Sequence, residues 1–204
     1  MKNKAVISVV VIVVVVLAVV VGFYLLKQNK PAPEDAPAAE QNQMPNGSET
    51  GGKLITDDFS INLPAGWIQA TPPGGVSAMA VNVAETIDDP VAEEIGFKSY
   101  LAVSYDTLQG ENISEYLQTV KSELQKTMPG AVFMNEQDTT INNRSARAME
   151  MELTQQEIDF KILMVVIKGK GEDVWVMSFN TLQSSWDENK EAFSDIAKSF
   201  SLKI

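Results

Sequence analysis

This 204-residue chain contains no cysteine and no histidine. Without cysteine there are no disulfides, no thiolate metal ligands, no thiol nucleophile and no lipidated cysteine to hold a membrane. Without histidine there is no Ser-His-Asp triad, no ordinary zinc site, and no base whose unperturbed pKa lies near neutrality. Basic residues are also scarce, 16 against 27 acids, for a formal charge of −11. The deficit is uneven. Residues 1–30 hold four lysines and no acid, while residues 31–52 hold Glu34, Asp35, Glu40 and Glu49 and no base. The remainder carries 12 basic and 23 acidic side chains. So acidic a domain repels phosphate backbones, and no basic patch interleaved with aromatics offsets this, which argues against nucleic acid as a partner.

What is present begins with an apolar run. Ala5 to Leu26 is 22 residues without a charge, 17 of them Val, Ile, Leu or Phe. At about 1.5 Å per residue it makes a helix of about 33 Å, enough to cross a hydrocarbon core of about 30 Å. A cleaved signal peptide has a shorter apolar region, and a buried core helix would show some polar face. The expected organisation is therefore a short basic cytoplasmic N-terminus (1–4), a transmembrane signal-anchor helix (5–26), a disordered Pro/Ala/Gly linker (27–53) and a folded domain (54–204). Lysines flank both ends of the span, Lys2 and Lys4 before it, Lys27 and Lys30 after. A short basic N-terminus ahead of a long domain resembles an uncleaved anchor of the bacterial cytoplasmic membrane, with the domain extracytoplasmic. The linker has four prolines, three glycines and almost no apolar bulk, so it cannot offset the entropy of ordering.

The domain alternates strand and helix patterns. Phe59-Ser60-Ile61-Asn62-Leu63 has period two and stops at Pro64-Ala65-Gly66 before Trp67. Strand patterns follow over Val76–Ala84, Phe97–Tyr105 and Val132–Ile141, the last ending in Asn142-Asn143, which suits a hairpin turn. Ala146–Thr154 places Met149, Met151 and Leu153 inward, and Ala148, Glu150 and Glu152 outward. Phe160–Ile167 is apolar on both faces and reads as a central strand covered on both sides. A further strand starts at Val174. Two helices are expected. Ile113, Leu117, Val120, Leu124 and Met128 form an apolar stripe behind an Asn112/Glu115 capping box. Trp186, Phe193, Ile196, Ala197 and Phe200 form another behind a Ser185/Glu188 box. The fold class is α+β, a mainly antiparallel sheet of about six or seven strands flanked by helices.

The phrase Phe59 to Trp67 and the closing Phe193, Ile196, Ser199 and Phe200 resemble the PsbP-like domains of the Mog1/PsbP superfamily over Leu54 to Ile204. Those domains open on a strand ending in Leu-Pro-x-Gly-Trp and close on a helix leading to Ser-Phe. The resemblance implies a binding or assembly module rather than an enzyme. Metal binding in photosynthetic members draws on histidines, which this chain lacks, so no site residue carries over.

Candidate chemistry is sparse. Asp88, Asp89, Glu93 and Glu94 form the densest acidic group and are a calcium candidate, although the spacing matches no EF-hand and a solvated loop explains it too. Glu150 and Glu152 share a strand face, where ion pairing with a cross-strand Lys161 competes with carboxylate catalysis. Met149, Met151, Met164 and Met177 suit core filling more than an adaptable surface, and Trp67, Trp175 and Trp186 suit core anchoring. A cleft, if present, is expected near Pro72-Pro73-Gly74-Gly75. The functional expectation is a membrane-tethered, non-enzymatic extracytoplasmic module that binds an envelope protein or a small apolar ligand without a cofactor. The alternative is an envelope hydrolase using carboxylates or a Ser/Lys pair.

Overall fold

The computed structural model describes residues 51–203. The basic N-terminus, the apolar span and nearly all of the linker lie outside the described residues. Among the described residues no helix is long and apolar enough to cross a membrane.

Seven antiparallel strands form the main sheet, in the spatial order β3-β4-β5-β9-β8-β7-β6. They are β3 (Trp67–Ala70), β4 (Ala78–Asn82), β5 (Tyr100–Thr107), β6 (Val132–Ile141), β7 (Arg144–Gln155), β8 (Ile158–Lys168) and β9 (Asp173–Leu182). The alternation read from sequence survives in the register. On β7, Met149, Met151 and Leu153 enter one core together with Ile162, Met164 and Val166 of β8. Val165 and Ile167 of β8, with Trp175, Met177 and Phe179 of β9, enter the core on the other side. Strands apolar on both faces need two covering layers, and the chain supplies a helix for each.

Helix α2 (Ile113–Thr127) covers the first face through Tyr116, Leu117, Val120 and Leu124. Its expected cap is present. Asn112 Oδ1 accepts from the Ser114 and Glu115 amides at 2.9 and 3.0 Å, and Glu115 Oε2 accepts from the Asn112 amide at 2.9 Å. The Asn142-Asn143 turn also forms as expected, with φ of +46° and +62°, so that β6 and β7 pair as a hairpin. Helix α3 (Trp186–Lys198) covers the second face through Phe193, Ile196 and Ala197.

Three expectations need correction. Ser185 does not form a capping box with Glu188: its φ/ψ of −92°/2° is not the extended backbone that lets a cap side chain reach forward, and its side chain caps nothing. The chain instead turns straight off β9, with the Ser185 amide on Leu182 O at 3.1 Å. The Asp88–Glu94 stretch is not simply a loop. Pro90–Glu94 is a short helix, α1, with Asp89 as its cap and with Ile87, Ala92 and Ile95 buried. Finally, Phe59–Asn62 (β2) does not join the main sheet. It pairs with β1 (Lys53–Ile55) and β10 (Ser201–Leu202) in a small second sheet. Leu54, Phe59 and Ile61 bury themselves against Trp175 and Phe200, with the Phe59 and Trp175 rings 5.0 Å apart. Gly66, at φ +81°, turns the chain from this sheet into β3, where a Cβ would stand 2.6 Å from that of Ala84.

The two caps make a paired prediction. Asn112→Ala should lower stability by about 1 kcal/mol, whereas Ser185→Ala should change it by less than about 0.5 kcal/mol. Urea midpoints of the two variants check this, and equal losses would contradict the cap assignment.

Candidate functional site

The sequence candidates scatter. Asp89 spends Oδ1 on the Val91 and Ala92 amides, both at 2.9 Å, as the cap of α1. Asp88, Glu93 and Glu94 are exposed around it. No group of three or more acidic side chains among the described residues converges to hold a metal ion. The four methionines are 0–1 % exposed, core residues as expected. Trp67 and Trp175 are buried.

Trp186 is the exception, because it helps line a trough. Helix α3 lies over β8 and β9 and leaves the outer parts of β7 and β6 uncovered on that face. The result is an open trough of about 230 Å³ between the helix flank and the sheet. Its floor is aliphatic: Ile141, Ala148, Leu163, Val165 and Ala197. One wall is the edge strand with Gln137 and Thr139, and the other is a helical stripe at four-residue spacing, Trp186, Lys190, Ser194 and Lys198. None of this involves Pro72–Gly75. The cleft is elsewhere because it arises where a 13-residue helix runs out of width, a mismatch between layers that no loop motif announces.

Glu150 and Lys161 close one end of the trough. Glu152 and Lys161 are register partners on β7 and β8, and Lys161 Nζ lies 3.0 Å from both Glu150 Oε2 and Glu152 Oε1. The same ammonium sits 4.7 Å from the Trp186 ring centroid, a cation–π contact. The Lys161 side chain is only 12 % exposed, so this is a largely covered clamp rather than the surface pair expected. Burial pulls the Lys161 pKa down, but hydrogen bonds to Glu152 and Glu150 outweigh it and leave it raised.

Sequence reading missed a second polar set at the N-terminal end of α3. The Glu85 carboxylate accepts from the Ser99 amide at 2.5 Å and lies 2.7 Å from the Ser99 hydroxyl, which in turn is 2.7 Å from the Thr181 hydroxyl. Asn189 Nδ2 of α3 donates to Glu85 Oε1 at 3.2 Å and to Ser185 O at 3.0 Å. Ser99 and Thr181 are fully buried, so the set anchors the helix and offers no open nucleophile. On the opposite face Arg147 binds Glu136 at 3.1 Å, and Lys121 of α2 binds the same carboxylate at 2.7 Å. The Lys121 hydrogen bond is the main reason that Glu136 titrates below its ordinary range. Arg147 Nε lies 3.2 Å from Asp138 Oδ1, close enough for attraction but not aligned for a hydrogen bond.

The model of the family described as PsbP-like protein matches residues 8–202. The chain belongs to that family. No curated protein matches it in sequence. Among solved structures, this PsbP-like chain is similar to cyanobacterial PsbP (CyanoP) of Synechocystis sp. PCC 6803, with a TM-score of 0.57 at 14 % identity over 82 % of this chain and 98 % of that one. It is similar to LpqN of Mycobacterium tuberculosis, described as involved in cell envelope biogenesis, with a TM-score of 0.55 at 15 % identity over 76 % and 91 %. It is similar to the Saccharomyces cerevisiae Ran-binding protein Mog1p, with a TM-score of 0.52 at 13 % identity over 76 % and 96 %. These likenesses show the Mog1/PsbP fold.

Two predictions follow from the geometry. Lys161→Met leaves two half-buried carboxylates facing each other and should cost about 1–3 kcal/mol, discounted from a fully buried pair for their exposure. Adding Glu150→Gln and Glu152→Gln should recover most of it, which chemical denaturation of the wild type, the single variant and the triple variant measures. For pH, the raised Lys161 pKa gives stability that is complete below the ordinary lysine value of 10.5 and is lost above it. Tyr100 is raised by burial, and Tyr116 by burial and then by Asp106, so both lose their contribution above the ordinary tyrosine value of 10.0. Stability should therefore fall steeply above about pH 10, and Tyr116→Phe should flatten that limb in urea titrations. An unchanged slope would contradict it.

Proposed function

We propose that this chain is a membrane-tethered, non-enzymatic accessory module that uses the trough between α3 and the β6–β7 face to bind an envelope protein. The observation that carries this reading is the trough itself, open to solvent between polar walls above an aliphatic floor. Both carboxylates at its closed end are engaged, Glu150 and Glu152 each lying 3.0 Å from Lys161 Nζ. A hydrolase needs a base free to take a proton, and these contacts leave the trough without an obvious one. At about 230 Å³ and open to solvent, the trough is also smaller and shallower than sites that enclose a small apolar ligand, which favours a protein. Relatives point the same way: LpqN is described as involved in cell envelope biogenesis and Mog1p as Ran-binding. The uncharged run Ala5–Leu26 supports the tether, with the domain outside the cytoplasm.

Photo-crosslinking from Thr139 or Ser194 of the full chain in native membranes should trap a discrete envelope protein, while a crosslinker at Ser122 on the exposed flank of α2 should not. Equal trapping from both faces sinks the reading. Turnover of ester, peptide or glycoside substrates that vanishes in Glu150→Gln would establish the hydrolase instead. Protease treatment of spheroplasts should remove the domain, and protection would place it in the cytoplasm.

A further inference from the structure

The trough has a length and a charge pattern, and together they specify the segment that fits it. This deepens the docking reading above and rests on it. Lys190, Ser194 and Lys198 stand on successive turns of α3 and line one wall, so the two lysine positions are about 12 Å apart at 1.5 Å per residue. On the facing wall, Gln137 to Ile141 spans about 13 Å at 3.3 Å per residue. One end is closed where Asn142 Nδ2 donates to Phe200 O at 2.6 Å, tying the β6–β7 turn to the end of α3. The other is closed by Trp186 and the Lys161 clamp. A chain of extended backbone crosses about 12 Å in four residue steps, and side chains four apart point the same way.

We infer that the trough takes an extended segment of a partner protein with acidic side chains at positions i and i+4 and short aliphatic ones between them. The carboxylates meet Lys190 and Lys198, and the aliphatic side chains lie on the floor of Ala148, Leu163, Val165 and Ala197. Both lysines keep donors to spare. Their present partners, Asp187 and Asp195, are 84 % and 71 % exposed, and such exposed pairs within one helix hold weakly. The net charge of −11 on the chain does not forbid an acidic segment. Charges beyond about 8 Å are screened at physiological salt, and the acids nearest the two lysines are their own exposed partners, Asp187 and Asp195, which a bound carboxylate displaces. An extended peptide also suits the shape, since the trough is long and open rather than enclosed.

The test uses the full chain in nanodiscs holding one copy each and three labelled pentapeptides with blocked ends: Asp-Val-Ala-Val-Asp, Asn-Val-Ala-Val-Asn and Lys-Val-Ala-Val-Lys. Anisotropy and Trp186 emission report binding, since Trp67 and Trp175 are each only 5 % exposed. The acidic peptide should bind best, weaken about tenfold in Lys190→Gln/Lys198→Gln, weaken with added salt, and be lost in Ser194→Phe, which fills the trough without adding charge. Equal binding of the neutral peptide, still blocked by Ser194→Phe, keeps the docking trough and overturns the acidic segment. Binding indifferent to Ser194→Phe, or no binding at millimolar peptide, overturns both. Crosslinks from Ser194 to residues 31–50 of the same chain, or to a second copy in native membranes, overturn the external partner.

Discussion

Strands β8 and β9 can turn neither face to water. Phe160, Ile162, Met164 and Val166 point one way, while Leu163, Val165 and Ile167 point the other. With each fully buried aliphatic or aromatic side chain contributing about 1.5–3 kcal/mol, exposing either row would cost an amount comparable to the whole net stability of an ordinary domain. Each row therefore requires a covering layer. Helix α2, between β5 and β6, covers one face. The other face needs more, because α3 alone is narrower than seven strands. The small sheet covers the ground beside it, with Phe59 against Trp175 and Phe200. The trough is what remains once helix and small sheet have both been placed.

The way α3 is fastened differs from end to end. Its second half is held by apolar packing, with the Phe193 and Phe179 rings 5.1 Å apart. Its first turns are held by polar contacts, Asn189 on Glu85 and Trp186 over Lys161. Buried polar groups are tolerated only when satisfied, so these contacts fix position more than they add stability. Lys161 links the two roles. It pairs the carboxylates of β7, seats Trp186, and so sets the end wall of the trough and the height of the helix above it.

Local signals were readable in the sequence and distant ones were not. Helix α2 and the β6–β7 hairpin each rest on residues within a few positions of one another, namely Asn112 with Glu115 and Asn142 with Asn143. The Glu152–Lys161 pairing was also foreseeable, because a hairpin fixes the register. The small sheet was not: β10 joins β2 across about 140 residues of sequence (Ser201 opposite Ser60), and nothing near either strand states the pairing. Nor was the Glu85–Ser99–Thr181–Asn189 set, whose members come from three separated segments. The Ser185 box had the right residue types and failed on backbone geometry, since the turn leaving β9 leaves no extended residue to cap from. The trough belongs to the same class. Its floor residues looked like ordinary core positions, and Glu150 looked outward, until the width of α3 decided which would be covered.

Edge strand β6 bears on where a partner can approach. An unpaired ten-residue edge invites strand addition, yet this one is spoiled for it. Its pairing with β7 breaks between Met134 and Gln137, where Asn135 adopts φ +51°. That irregularity turns Glu136 toward α2, where Lys121 and Arg147 bind it, and leaves Asp138 82 % exposed. A bulge sharpens the local twist, and charges along an edge repel a neighbouring strand. A partner is thereby steered away from the hydrogen-bonding edge and toward the face. There Gln137 and Thr139, on the regular side of the same bulge, form the wall opposite Lys190 and Lys198. The irregularity that protects the edge also sets the register of the residues lining the trough, so the two features share one cause.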